Sequence, residues 1–347
     1  MAQQGFTQKA FKKAVAALVL AAGSAAAFTA QAADEINIYS DRQAFLMKPI
    51  LDAFTKETGI KVNVVFAKKG LIQRLKSEGA NSPADLLLTS NVSNLTRAVD
   101  AGVTQKVDDA VINKNVPAKF RDADGQWFGL TTRARVVYAS KDRVKPGEIE
   151  TYEDLADPKF AGRICTRKGD HTYNIALIAS MIAHHGEAEA KQWLEGVKAN
   201  LARKPQGNDR AQVKAVKEGV CDIAVGNSYY YGKMLTNDEQ RAWAESVNIV
   251  YPNQGDRGTH VNISGMTMTK SAPNRDAALK LMRFLTEDEA QKIYAEQNFE
   301  YPVKPGVSAS KLVDNWGDFK ADDLPLSDVD KFRKRAAMVV NEVGYNN

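Results

Sequence analysis

The order of apolar and polar residues along the chain predicts strands that alternate with helices. Residues 36–39 alternate as a short strand, and Met47, Ile50 and Phe54 then recur at the spacing of one helical face. The largely apolar run at 84–89 is typical of a strand buried on both faces of a parallel sheet. This alternation of strand and helix predicts a doubly wound α/β architecture.

Two longer runs of β-forming residues indicate that the chain crosses between two lobes. The first run covers residues 131–138 and the second covers residues 259–268. We place the crossings near Arg133 and His260, with a cleft between the lobes. The predicted boundaries are 33–133 plus about 260–305 for the N-lobe, and 134–259 plus about 306–347 for the C-lobe.

Further helices are predicted in the second half of the chain from apolar spacing and glycine stops. They cover residues 174–185, 188–201, 210–218, 275–285, 287–297 and 328–341. A short strand at 221–226 precedes the sequence Asn227-Ser228-Tyr229-Tyr230-Tyr231, where another helix is expected to begin. Because α/β sheets bind ligands beyond the carboxyl ends of their strands, the turns at 40–43, 90–93 and 227–231 are expected to share one surface.

The first 32 residues have the features of a secretory signal. Lys9, Lys12 and Lys13 form a positive region, residues 14–27 are apolar, and Ala30-Gln31-Ala32 matches a cleavage site. The apolar stretch is shorter than the roughly 20 residues of a membrane span. We therefore expect a secretory signal that is cleaved after Ala32, and no stable membrane insertion.

Charge gives no indication of a nucleic-acid partner. The signal segment contains three lysines and no acidic residue, so residues 33–347 hold 44 basic and 42 acidic residues. A chain this close to neutrality, with scattered basic residues, lacks the basic surface that attracts nucleic acid. Its length is sufficient for two domains, and we expect a monomer.

The two cysteines, Cys165 and Cys221, both lie near predicted strands. An even number of cysteines in an exported protein predicts one disulfide bond between them. The alternative is a pair of buried free thiols. Neither a CxxC motif nor a nearby pair of histidines completes a zinc site.

Tyr173, Tyr229 and Tyr230 each lie where a helix of the second lobe is predicted to begin. Backbone N–H groups and the helix dipole at such a position favour an anionic side chain. A hard trivalent cation such as Fe³⁺ can displace the phenolic protons, and three phenolates would neutralise its charge. Arg42 and Arg133 would then hold a bidentate anion that fills the remaining coordination positions. Without such context, adjacent tyrosines at a helix start are more often packing residues.

At these residues the chain resembles the periplasmic ferric-ion-binding proteins of ABC iron importers. The resemblance covers essentially the whole chain after the signal, and it rests on the following stretches: Tyr39-Ser40-Asp41-Arg42-Gln43, Trp127-Phe128-Gly129-Leu130, Arg133-Ala134-Arg135, Tyr173-Asn174 and Asn227-Ser228-Tyr229-Tyr230. It implies a type II two-lobe periplasmic binding protein fold whose crossing strands form the hinge.

The resemblance also implies a set of site residues. Tyr173, Tyr229 and Tyr230 match the family's tyrosine ligands, whereas Tyr231 falls at a position without a ligand. Where other members place a His or Tyr ligand in the first turn, this chain has Gln43 and Ala44, and it has Ser90 where others use Glu. This departure is similar to the subgroup that uses three tyrosines plus carbonate, with Arg42, Gln43 and Arg133 around the anion.

The function implied is capture of Fe³⁺ and its delivery to an inner-membrane ABC permease and its ATPase. One rival is a binding protein of the same fold for an organic anion or a polyamine, with the tyrosines as cleft walls. Another is a secreted non-haem iron or phosphoester-cleaving enzyme. The enzyme is disfavoured because no His cluster, Ser-His-Asp set or pair of acids occurs in the turns after the strands.

Overall fold

The structure is a computed structural model that describes residues 35–42 and 44–347. The predicted signal segment and Gln43 lie outside the described residues. The strands are β1 (Glu35–Ser40), β2 (Lys61–Phe66), β3 (Leu86–Thr89), β4 (Phe128–Ser140), β5 (Ile164–Cys165), β6 (Ile223–Asn227), β7 (Val247–Val250), β8 (Val261–Met268) and β9 (Tyr301–Pro302).

Helices separate most of the consecutive strands. They are α1 (Ala44–Thr58), α2 (Leu71–Glu78), α3 (Val92–Asp100), α4 (Ala110–Asn115), α5 (Thr172–His185), α6 (Glu187–Ala199), α7 (Asp209–Lys217), α8 (Tyr229–Leu235), α9 (Arg241–Glu245), α10 (Arg275–Leu285), α11 (Asp288–Asn298), α12 (Lys311–Asp314), α13 (Leu326–Lys331) and α14 (Arg333–Val343). The long helices predicted from apolar spacing are confirmed to within about two residues at each end, except for the last one.

The predicted single helix over 328–341 is wrong, because the chain forms α13 and α14 with a break at Phe332. No glycine or proline in this stretch signals the break. Its cause is tertiary, since α13 packs on both α3 and α5 whereas α14 packs on α5 and α6. The carboxylate of Asp330 fixes α13 by accepting hydrogen bonds from the hydroxyls of Ser93 and Thr96.

The strands form one mixed sheet in the order β2-β1-β3-β8-β4-β6-β5, and β7 and β9 also pair with β4. The β1–β2, β1–β3 and β5–β6 pairs are parallel, as expected for α/β units. All the pairs that involve β4 or β8 are antiparallel. The two halves of the sheet are therefore joined through these two long strands.

Strand β4 passes from one half of the molecule to the other. Its first part pairs with β8 up to Ala134, and from Arg135 onward it pairs with β6. The backbone N–H of Arg135 donates to the carbonyl of His260 at 2.9 Å, so the two predicted crossings meet at this point. The lobe boundaries given above remain a prediction.

Two apolar clusters lie on either side of this crossing. The first core surrounds Ile36, Leu86 and Met266 and packs against α1, α10 and α11. The second core surrounds Val137 and Ile223 and includes residues of α5, α6 and α14. Each cluster removes a large apolar area from water, so each half of the molecule has its own source of stability.

A disulfide bond joins Cys165 to Cys221, which confirms the predicted pairing and excludes two free thiols. Cys165 ends β5 and Cys221 lies two residues before β6, so the bond reinforces a parallel strand pair of only two residues.

None of the helices within residues 35–42 and 44–347 combines the length and apolar character needed to span a membrane.

Replacing both cysteines with alanine is expected to lower the free energy of unfolding by about 2–4 kcal/mol, because the bond closes a loop between positions 56 residues apart. Urea denaturation of oxidised wild-type protein and the double variant measures the difference. Reduced wild-type protein should unfold near the midpoint of the variant. Equal midpoints for the oxidised protein and the variant would contradict this expectation.

Candidate functional site

Tyr229 and Tyr230 begin helix α8 directly after the carboxyl end of β6. Their ring centroids are 4.2 Å apart, and both side chains are half-buried. Tyr231 turns away and packs on Tyr138, at 6.2 Å between ring centroids, and on Trp316, at 5.4 Å. The three consecutive tyrosines therefore have different environments, and Tyr231 is a packing residue as predicted.

Tyr173 is the second residue of α5 and joins the same group. Its phenolic oxygen lies 3.4 Å from that of Tyr229, although the two residues are 56 positions apart. His171 caps the helix by accepting the backbone N–H of Tyr173 on Nδ1, and its ring contacts the Tyr173 ring edge-on at 4.6 Å. The structure thus brings the three predicted ligands together, while their role as ligands stays a prediction.

The environment of Tyr229 and Tyr230 favours the protonated form of these two phenols in the absence of a cation. Burial raises the pKa of Tyr229 well above its ordinary value, and the neighbouring Tyr173 and Tyr230 raise it further. Burial likewise raises the pKa of Tyr230, with a contribution from Tyr173. Any ligand that binds these oxygens as phenolates must therefore displace protons.

Arg42 and Arg133 approach each other at the hydroxyl of Ser264. Arg133 Nη1 donates to Ser264 Oγ at 3.0 Å, and Arg42 Nη1 donates to the same oxygen. Arg133 also donates to the carbonyl of Ser90, and its guanidinium carbon lies 5.7 Å from the centre of the Tyr173 ring. The predicted anion pocket therefore adjoins the predicted metal ligands. Gln43, the third predicted anion ligand, is outside the described residues, and its role stays a prediction.

Arg42 is held by a buried ion pair with Glu300. Arg42 Nη2 lies 2.8 Å from one carboxylate oxygen of Glu300, which also accepts the hydroxyl of Thr131 at 2.7 Å. Burial alone lowers the pKa of Arg42, but the carboxylate of Glu300 offsets it and the pKa is raised. Within the described part of the chain, the buried Nε atoms of Arg42 and Arg133 have no hydrogen-bond acceptor, so each guanidinium has a donor for a further group.

Sequence reasoning did not identify a second pair of arginines beneath Tyr173. The guanidinium carbons of Arg135 and Arg167 lie 5.9 and 5.2 Å from the centre of the Tyr173 ring. Both arginines donate to the buried carboxylate of Asp209, at 2.7 and 2.9 Å. The alternation Arg133-Ala134-Arg135, which puts both arginines on one face of β4, was the available signal for Arg135.

Helix α8 packs against the end of α11 and the residues that follow it. A Cβ added to Gly232 would lie 2.5 Å from the ring of Phe299, so only glycine allows this approach. Lys233 Nζ donates to the carbonyl of Gln297 at 2.6 Å, beside the same contact. Glu300, the residue after Phe299, holds Arg42 through its carboxylate. Helix α8 therefore links the tyrosines to Arg42 as well.

The ordinary metal-binding side chains do not assemble into another site. Within the described part of the chain, no group of three or more His, Cys, Asp or Glu residues could hold a metal ion. An open cavity of about 630 Å³ lies between residues 144–150 and 248–255, and its lining contains none of the candidate residues. The tyrosine group is therefore the strongest candidate for a cation site in residues 35–42 and 44–347.

The chain is similar to several known proteins over most of its length. Residues 81–318 match the family model described as bacterial extracellular solute-binding protein. The chain is 45% identical to iron uptake protein A1 of Synechocystis over 314 residues, which covers 90% of this chain and 87% of that protein.

Two solved structures show how closely the fold is shared. Ferric iron-binding protein A of Mannheimia haemolytica, in an open conformation, matches with a TM-score of 0.87 and 52% identity, covering 91% of this chain and 100% of that one. A Trichodesmium protein in complex with iron and citrate matches with a TM-score of 0.86 and 43% identity, covering 90% and 99%. These matches confirm the predicted two-lobe α/β fold.

Proposed function

The chain belongs to the bacterial extracellular solute-binding protein family, as the resemblance predicted, and we propose that it captures Fe³⁺ through Tyr173, Tyr229 and Tyr230. The observation that carries this proposal is the convergence of three phenols from two distant segments, with phenolic oxygens of Tyr173 and Tyr229 only 3.4 Å apart. Hard, highly charged cations prefer oxygen ligands, and phenolate supplies both the oxygen and the negative charge.

A synergistic anion, carbonate in the first instance, completes the proposed coordination. Among the described residues, four buried arginines lie at this place, Arg42, Arg133, Arg135 and Arg167, together with two buried carboxylates, Asp209 and Glu300, and the half-buried carboxylate of Asp41 next to Arg42. Buried charge is costly unless it is paired. Because Fe³⁺ and three phenolates are together neutral, the excess of positive charge supports an anion at Arg42, Arg133 and Gln43 rather than a further cationic ligand.

Binding and release, rather than turnover, are the proposed activity. The relatives are named as binding and uptake proteins, and members of this family serve importers of the ABC class. We place the protein in the periplasm, where it delivers iron to an inner-membrane permease and its ATPase. Iron would be enclosed when the two lobes rotate about the crossing strands, and released when the anion leaves, the phenolates are protonated or Fe³⁺ is reduced.

Loading with iron tests the proposal directly. Metal is first removed from the protein with a chelator, and Fe³⁺ and bicarbonate are then added. We expect a visible phenolate-to-iron charge-transfer band that saturates at about one Fe³⁺ per protein molecule. Reduction to Fe²⁺ should remove the band, and omission of bicarbonate should weaken iron binding. A protein that binds iron and stays colourless would contradict the proposal.

Iron affinity is expected to fall as the pH is lowered. The raised pKa values of Tyr229 and Tyr230 mean that both phenols carry protons before iron binds, so binding releases them. Each released proton weakens binding about ten-fold per unit of decreasing pH. Calorimetry in buffers of different ionisation enthalpy counts the protons, and release of fewer than about one per iron would contradict phenolate ligation.

A binding protein for an organic anion is the second candidate, favoured by the same excess of buried arginine over carboxylate. This excess disfavours a polyamine, which would add positive charge. Titrating metal-free protein with small dicarboxylates and tricarboxylates, with and without Fe³⁺, separates the two candidates. Tight binding of the anion alone would support the second candidate, and binding that requires iron supports the first.

A further inference from the structure

Asp209 is a fully buried carboxylate at the start of α7, and every strong partner it has leads toward the tyrosine group. Its Oδ2 accepts from Arg135 Nη1 at 2.7 Å and from the backbone N–H of Asn227 at 2.9 Å. Its Oδ1 accepts from Arg167 Nη1 at 2.9 Å. These bonds join β4, the segment after β5, and the end of β6 at one side chain.

Each of these partners lies close to a proposed iron ligand. Asn227 is two residues before Tyr229, so the N–H bond fixes the end of the strand from which Tyr229 and Tyr230 project. Arg135 also donates from Nη2 to Asn174 Oδ1 at 2.6 Å, next to Tyr173. The guanidinium carbons of Arg135 and Arg167 lie 5.9 and 5.2 Å from the centre of the Tyr173 ring.

We propose that Asp209 is a positioning residue for iron capture, which sets Tyr173 against Tyr229 and Tyr230 by holding Arg135, Arg167 and the end of β6 in fixed places. The inference rests on the proposed function, because it assigns a role toward the same ligands. It differs from that function in concerning a side chain whose partners are Arg135, Arg167 and the backbone of Asn227, and not the proposed ligands themselves. Groups that orient metal ligands commonly account for about 10–100-fold in metal affinity.

The chemistry of Asp209 and its two arginines argues against a role in stability alone. A buried carboxylate with two guanidiniums carries a desolvation cost that apolar packing avoids, so such a group is weak evidence of stabilisation. Its value lies in geometry, since charged hydrogen bonds are short and directional. Three segments that are distant along the chain receive their relative positions from one carboxylate, and two of them carry the tyrosines.

The chain offers a control in Asp222. This carboxylate also accepts from two arginines, Arg143 at 2.5 Å and Arg163 at 2.7 Å, and these contacts are more exposed than those of Asp209. It lies just before the opposite end of β6, beside the disulfide. Asp222→Asn therefore removes the same number of ionic contacts at the far end of β6 without disturbing the proposed ligands.

The test compares wild type, Asp209→Asn and Asp222→Asn as full exported proteins loaded with Fe³⁺ and bicarbonate. Asp209→Asn is expected to bind iron at least about ten-fold more weakly, to lose it faster to a chelator, and to shift the charge-transfer band. Asp222→Asn should keep the wild-type band and affinity even if its melting temperature falls. Equal iron affinity and an unchanged band in Asp209→Asn would overturn the proposal.

A second variant keeps the test decisive if Asp209→Asn does not fold. Arg167→Gln removes one of the two ion pairs of Asp209 and leaves the Arg135–Asp209 pair in place. It should weaken iron binding and shift the charge-transfer band in the same direction as Asp209→Asn. A wild-type band and affinity in Arg167→Gln would then overturn the proposal. If wild type itself forms no coloured complex, the proposed function fails, which is a separate result from wild-type behaviour in the variants.

Discussion

Tyr230→Phe is expected to weaken Fe³⁺ binding by about 100-fold, which corresponds to about 2.8 kcal/mol, and to diminish and shift the charge-transfer band. The substitution removes one proposed phenolate and leaves the ring, so the packing against Tyr229 at 4.2 Å between centroids is preserved. Iron affinity measured by competition with a chelator, together with the absorption spectrum, checks the expectation.

Tyr231→Phe is the control for this experiment, because it removes the hydroxyl of the adjacent tyrosine by the same chemical change. The Tyr231 ring packs on Tyr138 and Trp316, neither of which is a proposed iron ligand. Iron affinity and the band of Tyr231→Phe should equal those of wild type. A similar loss of affinity in both variants would show that the effect comes from helix α8 as a whole and not from a coordinating oxygen.

Glu300→Ala is expected to lower the free energy of unfolding by about 3–5 kcal/mol, because it leaves the buried guanidinium of Arg42 without a counter-ion. The hydroxyl of Thr131 loses its acceptor in the same change. Urea denaturation of the metal-free protein measures the effect. Asp288→Ala, which breaks an exposed ion pair with Lys304 nearby, should cost less than about 1 kcal/mol.

The double variant Arg42→Met with Glu300→Leu separates the stability of this pair from its proposed role in anion binding. Removing both charges should restore most of the stability lost in Glu300→Ala, since apolar side chains of similar size can replace a buried ion pair. The same variant should respond more weakly to bicarbonate during iron loading than wild type does. If bicarbonate strengthens iron binding in it as much as in wild type, Arg42 does not hold the anion.

Local patterns were sufficient to predict the elements that carry the site. The alternation and the helical spacing predicted α5, β6 and α8 with Tyr173 and Tyr229 at helix starts, where the structure has them. The length of the run after residue 130 predicted a strand that crosses between two halves, and β4 does so. These features depend on residues that are close together in the sequence.

Contacts between distant segments were beyond the reach of such patterns. Asp209 pairs with Arg135 across 74 positions, and Arg42 pairs with Glu300 across 258, so no spacing along the chain indicates either pair. The break at Phe332 arises because α13 packs against α3 as well as α5, which the amphipathic pattern of 328–341 does not contain. Tertiary packing decides each of these features.

The pairing of β4 with β8 bears on the entropy of the proposed closure around a ligand. The two strands are hydrogen-bonded to each other from Phe128 to Ala134, so the chain next to the crossing is a ribbon and not two independent tethers. We expect such a ribbon to hold the two halves in fewer arrangements than two separate tethers would. Under the proposed closure, less conformational freedom would then be lost on binding, and more of the contact energy would remain as affinity.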